Sequence, residues 1–369
     1  MKVRAPGILM NEKLSNISKM FDKVLKDCVT SNIKITLYFD HIRIQAMNER
    51  ITYTDDIFDV NTDISCDHKF SFLVDAGTLI SFFKNHNQDI EIEIKNDYSI
   101  VFKYDRGSFS STWIEDKAFP DFFYPVGDGI RVMSSSFIQS MKRSFAFVGS
   151  DEFRPAIGSI LLNVKKEYID IVSTDMFHLF INRKEYANAV EERSIMLSEV
   201  AASILYRFLS DKDTEISIST DGVRTFLCFD NVIISDMNVE QQYPNYEYVC
   251  NKFEKSSSVK FDRDLLISVL NSMTLVDNVV NVKVDKENGI TVMSEDFGNR
   301  KKIMESMPFN ALEGPCFNFS IDKENILSSV KSLIKGDVVM DWSDQYKMIK
   351  MFNPKYESTY VLNQTLYNL

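Results

Sequence analysis

The sequence is poor in the residues that most often bind metals or form disulfides. It has 369 residues but only five cysteines and four histidines. The cysteines are odd in number and far apart, with no Cys-x-x-Cys pair, so the sequence indicates neither a zinc site nor a disulfide framework. We therefore expect no metal and no other cofactor.

Long apolar runs are absent as well. No segment approaches the roughly 18 consecutive apolar residues that cross a bilayer, and the first residues, MKVRAPGILMNEK, are too few and too mixed for a signal peptide. These absences predict a cytoplasmic protein with no membrane partner. A hydrophobic content of 44% and a charged content of 26% are typical of a soluble globular chain, and this length accommodates two or three domains.

The motifs of common enzyme classes are missing too. The sequence contains no G-x-x-x-x-G-K-[ST], no H-E-x-x-H and no G-x-S-x-G. Two short segments could suggest acid–base chemistry, SDEFRP (Ser150–Pro155) and STDMFH (Ser173–His178). A turn that pairs Arg154 with an acid explains the first, and a turn in which Asp175 bonds its own backbone explains the second. We predict that the protein is not an enzyme, and an unrecognised enzyme that uses these groups is the least favoured alternative.

What the sequence does contain is a repeat of about 60 residues. Six segments share a helix-start pattern, in which a polar N-cap residue is followed by apolar residues one turn later. The segments begin at Asn11, Asp75, Ser134, Ser198, Asp262 and Asp322. Short alternating runs such as IEIEIK and EISIST lie between them and predict antiparallel strands. Each repeat is therefore expected to be one helix followed by about four strands.

Two aromatic segments give a second, longer period. FPDFFYPV near Phe119 and YPNYEYV near Tyr243 lie about 124 residues apart, each beside a polar stretch that suits a domain junction. We predict an α+β fold of three repeated domains, 1–128, 129–252 and 253–369, each with two helices packed under antiparallel sheets. An α+β chain with coincidental spacing is the alternative.

The net charge of −11 disfavours nucleic acid as a partner only if the charge is evenly spread. The predicted helices are less acidic than the whole chain, and Lys19, Lys23 and Lys26 have the spacing of one helical stripe. A helical face that meets phosphates, with acidic surfaces elsewhere, would fit this distribution, although a single lysine stripe can also be a solvated face. The candidate DNA-binding residues are Lys19, Lys23, Lys26, Lys142, Arg143, Arg207, Lys331 and Lys335.

The ordered motifs resemble the β subunit of bacterial DNA polymerase III, the sliding clamp family. FAFVGSDEFRPAIGSILLNVKKEYIDIVSTDMFHLF is similar to the signature of that family's second domain, and QQYPNYEYV to its F-P-D-Y segment. The resemblance runs over nearly the full chain. It implies a processivity factor that encircles duplex DNA as a head-to-tail homodimer, independently of base sequence, with DNA polymerase and clamp loader subunits as partners. A clamp-fold protein that binds replication partners without encircling DNA is the alternative.

The resemblance also implies an apolar pocket that binds partner peptides between the second and third domains. Its residues would be Ile157, Thr174, Met176, Phe177, His178, Leu179, Pro244, Tyr248, Val249, Tyr346, Met348, Val361 and Leu362. Met176, Phe177 and His178 stand where the family usually has Gly, His and Arg, and NQTLYNL replaces the usual C-terminal M-P-M-R-L. We therefore expect a divergent clamp with different partner peptides. Its dimer contacts would join edge strands of the first and third domains, near Leu275 and Val276.

Overall fold

A computed structural model provides the structure of the protein. It describes residues 1–22, 28–58, 60–65, 68–127, 129–186, 191–273, 277–296, 298 and 300–366. The chain forms two compact units. Unit 1 comprises Met1–Gln139 and Val200–Asn238, and unit 2 comprises Ser140–Glu199 and Val239–Leu369. Helices accompany antiparallel sheets throughout, so the predicted α+β class is confirmed.

Unit 1 contains a five-stranded and an eight-stranded antiparallel sheet. Its strands are β1 (Lys2–Ala5), β2 (Asn32–Leu37), β3 (Ile42–Met47), β4 (Ile51–Ile57), β5 (Asn61–Thr62), β6 (Phe70–Asp75), β7 (Ile90–Ile94), β8 (Ser99–Tyr104), β9 (Gly107–Thr112), β10 (Ile130–Met133), β15 (Glu215–Thr220), β16 (Arg224–Phe229) and β17 (Val232–Met237). The smaller sheet has the order β5-β1-β7-β8-β9 and the larger one β10-β15-β16-β17-β4-β3-β2-β6. The β17–β4 pair thus joins two segments that are far apart in sequence.

Unit 2 contains a nine-stranded and a four-stranded antiparallel sheet. Its strands are β11 (Ser159–Val164), β12 (Tyr168–Thr174), β13 (His178–Glu185), β14 (Arg193–Ser198), β18 (Ser257–Asp262), β19 (Val279–Asp285), β20 (Gly289–Asp296), β21 (Lys301–Met307), β22 (Ala311–Glu313), β23 (Phe317–Asp322), β24 (Asp337–Ser343), β25 (Met348–Phe352) and β26 (Thr359–Gln364). The larger sheet has the order β14-β11-β12-β13-β26-β25-β24-β18-β22, and the smaller one β21-β20-β19-β23.

The helices begin largely where the capping pattern predicts. They are α1 (Gly7–Ile17), α2 (Ala76–Asn85), α3 (Ser134–Ser144), α4 (Glu199–Leu209), α5 (Tyr246–Lys252), α6 (Arg263–Ser272) and α7 (Lys323–Ser332). The carboxylates of Asp75, Asp262 and Asp322 accept backbone N–H bonds from the first turns of α2, α6 and α7. Because α3 begins at Ser134 and α4 directly after Ser198, five of the six predicted starts are confirmed. Short 3₁₀ helices cover Ser18–Phe21, Val29–Ser31, Asp116–Ala118, Phe145–Phe147 and Pro155–Gly158.

The first helix does not begin at Asn11, as the capping pattern predicts. It starts at Gly7 and ends at Ile17, because Pro6 supplies the N-cap backbone and a glycine fits the crowded entry. A Cβ atom at Gly7 would lie 2.1 Å from the backbone oxygen of Gln88. Lys19 therefore lies in the following 3₁₀ helix, which removes the basis for a helical stripe there. Lys23 and Lys26 lie outside the described residues.

A further helix, α5, was not predicted. It begins within the segment YPNYEYV, where the side chain of Asn245 accepts a hydrogen bond from the backbone N–H of Tyr248 at 3.0 Å. The seven helical residues carry too little apolar periodicity to indicate a helix, so the segment predicts only the longer domain period. This helix provides one wall of the site described below.

The three predicted domains remain a prediction. The stretch 129–252 contributes β10 and β15–β17 to unit 1, and β11–β14 to unit 2. In unit 2, β13 pairs with β26, which brings Leu179 opposite Leu362 and His178 opposite Asn363. This pairing connects the middle of the chain to its last strand and creates the floor of the candidate site.

Candidate functional site

An apolar cavity of about 280 Å³ lies on unit 2. The turn between β12 and β13, the start of α5 and residues of β25 and β26 surround it. Its lining residues are Thr174, Met176, Phe177, His178, Leu179, Pro244, Asn245, Tyr246, Val249, Tyr346, Met348, Leu362 and Gln364. Most of this surface is carbon, so the cavity suits apolar side chains of a partner better than a charged ligand.

Asp175 organises the turn that forms one side of the cavity. Its Oδ1 accepts hydrogen bonds from the backbone N–H groups of Phe177 at 2.9 Å and His178 at 2.7 Å, as predicted for a side chain that bonds its own turn. Its Oδ2 lies 2.6 Å from Nδ1 of His178. Burial alone would raise the pKa of Asp175, but these hydrogen bonds and the adjacent imidazole hold it below its ordinary value. The carboxylate is therefore a structural acceptor.

Met176 has an unusual backbone conformation in the same turn. Its φ of 78° lies in the left-handed region, which side chains other than glycine rarely adopt. The hydroxyl of Thr174 accepts a hydrogen bond from the Met176 N–H at 3.0 Å and so helps to hold this conformation. The side chains of Met176 and Phe177 remain 45% and 65% exposed, so the turn presents two uncovered apolar groups at the cavity.

The floor and the opposite wall come from β13, β26 and α5. Leu179 and Leu362, paired across the strands, are buried in one apolar cluster with Tyr246, and Val249 and Met348 pack against it. Successive side chains of a strand point to opposite faces, so Leu362 faces the cavity while Val361 faces the core of the unit.

A buried polar group fixes α5 to the sheet beneath it. The Tyr246 hydroxyl donates to Asp170 at 3.0 Å and accepts from Asn163 at 2.6 Å. Asp170, in turn, accepts two hydrogen bonds of 2.8 Å from the Arg183 guanidinium. Burial, with Asp170 nearby, raises the pKa of Tyr246 well above its ordinary value, so the phenol stays protonated and available as a donor.

Ten of the thirteen predicted pocket residues line this cavity, and three lie elsewhere. Ile157 is buried against Gly149, where an added Cβ would approach its Cδ1 to 2.6 Å. Tyr248 is 60% exposed and is not part of the wall, and Val361 faces the core as described. The structure adds Asn245, Tyr246 and Gln364, which the sequence did not indicate. The N-cap pattern at Asn245 was the one available signal for α5 and hence for these wall residues.

The predicted cations are distributed over both units. In unit 1, Lys19 Nζ lies 3.3 Å from the Ser203 hydroxyl, and Arg207 donates to the backbone oxygen of Ser15 at 3.2 Å. In unit 2, Lys142, Lys331 and Lys335 are exposed and Arg143 is half-buried. The cations that the structure describes therefore lie on or near helices in both units, and they do not form one continuous stripe on α1.

Within the residues that the structure describes, no group of three or more His, Cys, Asp or Glu side chains is placed to hold a metal ion. Within those same residues, no helix is long and apolar enough to span a membrane. Arg154 lies 3.7 Å from Asp151, as its turn interpretation predicted.

The sequence is similar to that of two curated β sliding clamps. No protein-family model matches the chain. In sequence it is 22% identical over 199 residues to the β sliding clamp of Rickettsia bellii, covering 50% of this chain and 52% of that protein. It is 25% identical over 170 residues to the β sliding clamp of Buchnera aphidicola, covering 44% of this chain and 46% of that protein. The chain thus spans about half the length of the curated relatives it matches.

The structural likeness extends further than the sequence match. The DNA polymerase sliding clamp from Bacillus subtilis superposes with a TM-score of 0.91 at 15% identity, over 100% of both chains. At this identity the likeness establishes the fold. The predicted resemblance is supported: about half of the chain is similar in sequence to β sliding clamps, and the whole chain has the fold of a solved sliding clamp.

Proposed function

We propose that this protein is a DNA sliding clamp, a processivity factor that encircles duplex DNA and tethers replication partners to it. The observation that carries the proposal is the likeness to a polymerase sliding clamp over the whole chain, at a TM-score of 0.91. A ring retains DNA by topology, so it needs neither base recognition nor catalysis. No enzymatic activity and no cofactor are part of this function, which belongs in the cytoplasm with the replication machinery.

The charge distribution supports a DNA-facing side made of helices. Lys142, Lys331 and Lys335 are exposed cations on or beside α3 and α7, in a chain whose net charge is −11. Contacts of this kind are electrostatic and independent of base sequence, and a net-negative remainder would reduce DNA binding elsewhere. We infer that these residues, with Lys19, Arg143 and Arg207, contact phosphates while the protein slides.

The cavity on unit 2 is the proposed docking site for DNA polymerase and clamp loader subunits. Leu179, Leu362 and Val249 would receive apolar anchors of an incoming peptide, and Met176 and Phe177 would cover them. Because the side chains of Met176 and Phe177 are already exposed, contact with a partner would remove their apolar surface from water without unfolding the turn.

A homodimer of three-domain chains (1–128, 129–252 and 253–369) would complete the ring. Unit 1 has a sheet edge at β9 and unit 2 has one at β21. Exposed edges carry unpaired backbone groups, and a head-to-tail pairing of β9 with β21 of a second chain would satisfy them at both junctions. Leu275 and Val276, proposed to support this contact, lie outside the described residues.

The experiment is primer extension by the replicative polymerase of the source cells on a primed single-stranded circle. With the clamp loader and ATP present, adding this protein should lengthen the DNA products that the polymerase makes each time it binds the primer. Leu362→Ala should reduce that effect because it removes an anchor from the cavity floor, whereas Tyr248→Ala, at an exposed position outside the wall, should not. Product lengths unaffected by the protein would refute the proposal.

A clamp-fold protein that binds replication partners without encircling DNA is the second candidate. Lys19 and Arg207 already form hydrogen bonds within unit 1. These two side chains would have to give up those bonds to contact DNA phosphates, which favours this second candidate. This candidate predicts that partners bind through the same cavity. It also predicts that the protein is retained equally on circular and on linear DNA.

A further inference from the structure

A second cavity of unit 2, of about 740 Å³, adjoins α5. Tyr246 lines both this cavity and the apolar one, but the residues around the second cavity are mostly polar. Three cations and three carboxylates surround it: Lys165, Lys166, Arg183, Glu167, Glu192 and Glu247. Their formal charges cancel. A cavity of this volume accommodates a small molecule, and a lining without net charge does not select for a strongly charged one.

Arg183 on β13 is held in one orientation at this cavity. Its Nε and Nη2 each donate to a carboxylate oxygen of Asp170 at 2.8 Å, and Asp170, on the paired strand β12, is fully buried. Its Cζ lies 3.7 Å from the centroid of the Tyr168 ring, which is two positions along β12 on the same face. One edge and one face of the guanidinium are therefore engaged. The side chain is still 49% exposed, so its other face is open to the cavity that it lines.

A second aromatic ring of the cavity lies next to this pair. Tyr360 on β26 is paired with Ile181, two positions from Arg183, and so lies on the same face of the sheet. The Lys350 ammonium lies 4.2 Å from the centroid of the Tyr360 ring. The Tyr360 hydroxyl lies 3.5 Å from the sulfur of Cys250 in α5. Internal contacts therefore fix these side chains before any ligand binds, which reduces the entropy cost of binding.

The same combination of residues occurs in unit 1 with a different geometry. Arg43 donates to Asp56 at 2.7 and 2.9 Å, but its Cζ is 5.3 Å from the centroid of the Tyr38 ring and its side chain is only 27% exposed. Pairing an arginine with an aspartate across two strands thus does not by itself produce the close stack or the open face of Arg183. A planar arginine face and aromatic rings are the surfaces on which nucleobases stack.

We propose that the second cavity binds a nucleobase, which stacks on the open face of Arg183. The base is adenine, from a free nucleotide or from a single DNA strand, because the exposed amide of Asn251 at the cavity carries the donor and the acceptor that match N6 and N7 of adenine. Stacking and these hydrogen bonds supply the affinity, since the charges around the cavity cancel. This site is separate from the apolar cavity and goes beyond the proposed clamp function.

The test is titration calorimetry of the full-length protein with AMP. Arg183→Lys keeps the positive charge and a donor for Asp170 but removes the planar group, so it should weaken AMP binding about tenfold. Adenosine should bind the parent nearly as tightly as AMP, because stacking rather than charge holds the ligand. Binding of AMP without binding of adenosine would show a phosphate site and overturn the proposal.

Arg43→Lys is the matched control. It makes the same substitution at an arginine that also pairs with an aspartate beside a tyrosine, so its affinity for AMP should equal that of the parent. Asn251→Ala, at an exposed position, should keep the melting temperature of the parent and lose the preference for AMP over UMP. If Arg183→Lys lost its cooperative melting transition, Asn251→Ala would decide, and a retained preference for AMP would overturn the site.

A second arm distinguishes a free nucleotide from a DNA strand. Binding of a fluorescent oligo(dA) strand is followed by anisotropy with the same variants. Binding of AMP alone would assign the site to a free nucleotide, and strand binding that is lost in Arg183→Lys and kept in Arg43→Lys would assign it to a base of single-stranded DNA. Binding of neither ligand, or equal affinities of all three proteins, would overturn the site. These assays contain no clamp loader or polymerase, so their outcome is independent of the primer-extension test.

Discussion

Met176 is the residue at which this chain departs most clearly from the backbone conformation that its side chain prefers. A left-handed φ costs a residue with a Cβ roughly 1–2 kcal/mol, and the family resemblance places glycine in this turn. The side chain lies at the cavity and is half exposed. We infer that this strain is retained because it places an apolar group at the proposed docking surface.

Replacing Met176 should separate these two effects. Met176→Gly removes strain and side chain together, while Met176→Ala removes the side chain and keeps the strained Cβ. We expect Met176→Gly to unfold in urea with a free energy about 1 kcal/mol larger than that of Met176→Ala. Both variants should bind a polymerase-derived peptide more weakly than the parent. Equal unfolding free energies of the two variants would show that the conformation carries no strain.

Asp175 gives the turn a dependence on pH. Its folded pKa is lowered, so its contribution to stability is present above the pKa of the unfolded chain and is lost as the pH falls through the folded pKa. Asp175→Asn retains an oxygen that can accept the two backbone bonds but loses the charge beside His178. The melting temperature of this variant should therefore lie below that of the parent at pH 7, and the difference should shrink by pH 3. A difference independent of pH would contradict this role.

Single residues also differ in how far the sequence predicts their roles. Asp175 could be interpreted correctly because an aspartate that bonds its own turn follows from local chemistry. The role of Tyr246 could not, because it depends on hydrogen bonds to Asp170 and Asn163, which lie 76 and 83 positions away. Contacts between residues distant in sequence are set by tertiary packing, which a single chain's pattern does not encode locally.

At the scale of elements, α5 depends on a hydrogen-bond network rather than on helix propensity. Its seven residues are too few to be stable as an isolated helix, and Tyr246 fixes it through Asp170 and Asn163. Tyr246→Phe removes these bonds while keeping the ring. It should lower the free energy of unfolding by about 1–2 kcal/mol, measured by urea denaturation.

The same helix supplies the control for that change. Tyr248→Phe removes a hydroxyl from a 60% exposed ring and should leave the free energy of unfolding within error of the parent value. Equal losses from Tyr246→Phe and Tyr248→Phe, or no loss from either, would remove the network as the anchor of α5. Tyr246→Phe should also weaken peptide binding, because Tyr246 and Val249 form one wall of the cavity.

The helices also illustrate which elements a sequence can predict. The starts of α2, α6 and α7 were predictable because an aspartate caps each of them through bonds to the next few residues. The start of α1 was not, since it depends on the close approach of Gly7 to Gln88, a residue 81 positions away. The alternating segments, such as β7 and β15, are predicted as strands, but their sheet order depends on pairs such as β17–β4.

At the scale of the whole molecule, the proposed ring requires two chains. Each chain has a mass of 42.6 kDa, and mass photometry should give a main species of twice that mass at nanomolar to micromolar concentrations. The head-to-tail pairing of β9 with β21 closes after two copies, so higher multiples should not dominate. A species with the mass of one chain throughout this range would contradict the proposed ring of two chains.

Retention on circular DNA is the measurement that tests the central claim most directly. The labelled protein is loaded with its clamp loader onto a nicked plasmid, separated from free protein by gel filtration, and the plasmid is then cut once. The account predicts that the protein co-elutes with the intact circle and is released after linearisation, because a sliding ring leaves through free ends. Equal retention on circular and linear DNA, or none on either, would contradict it.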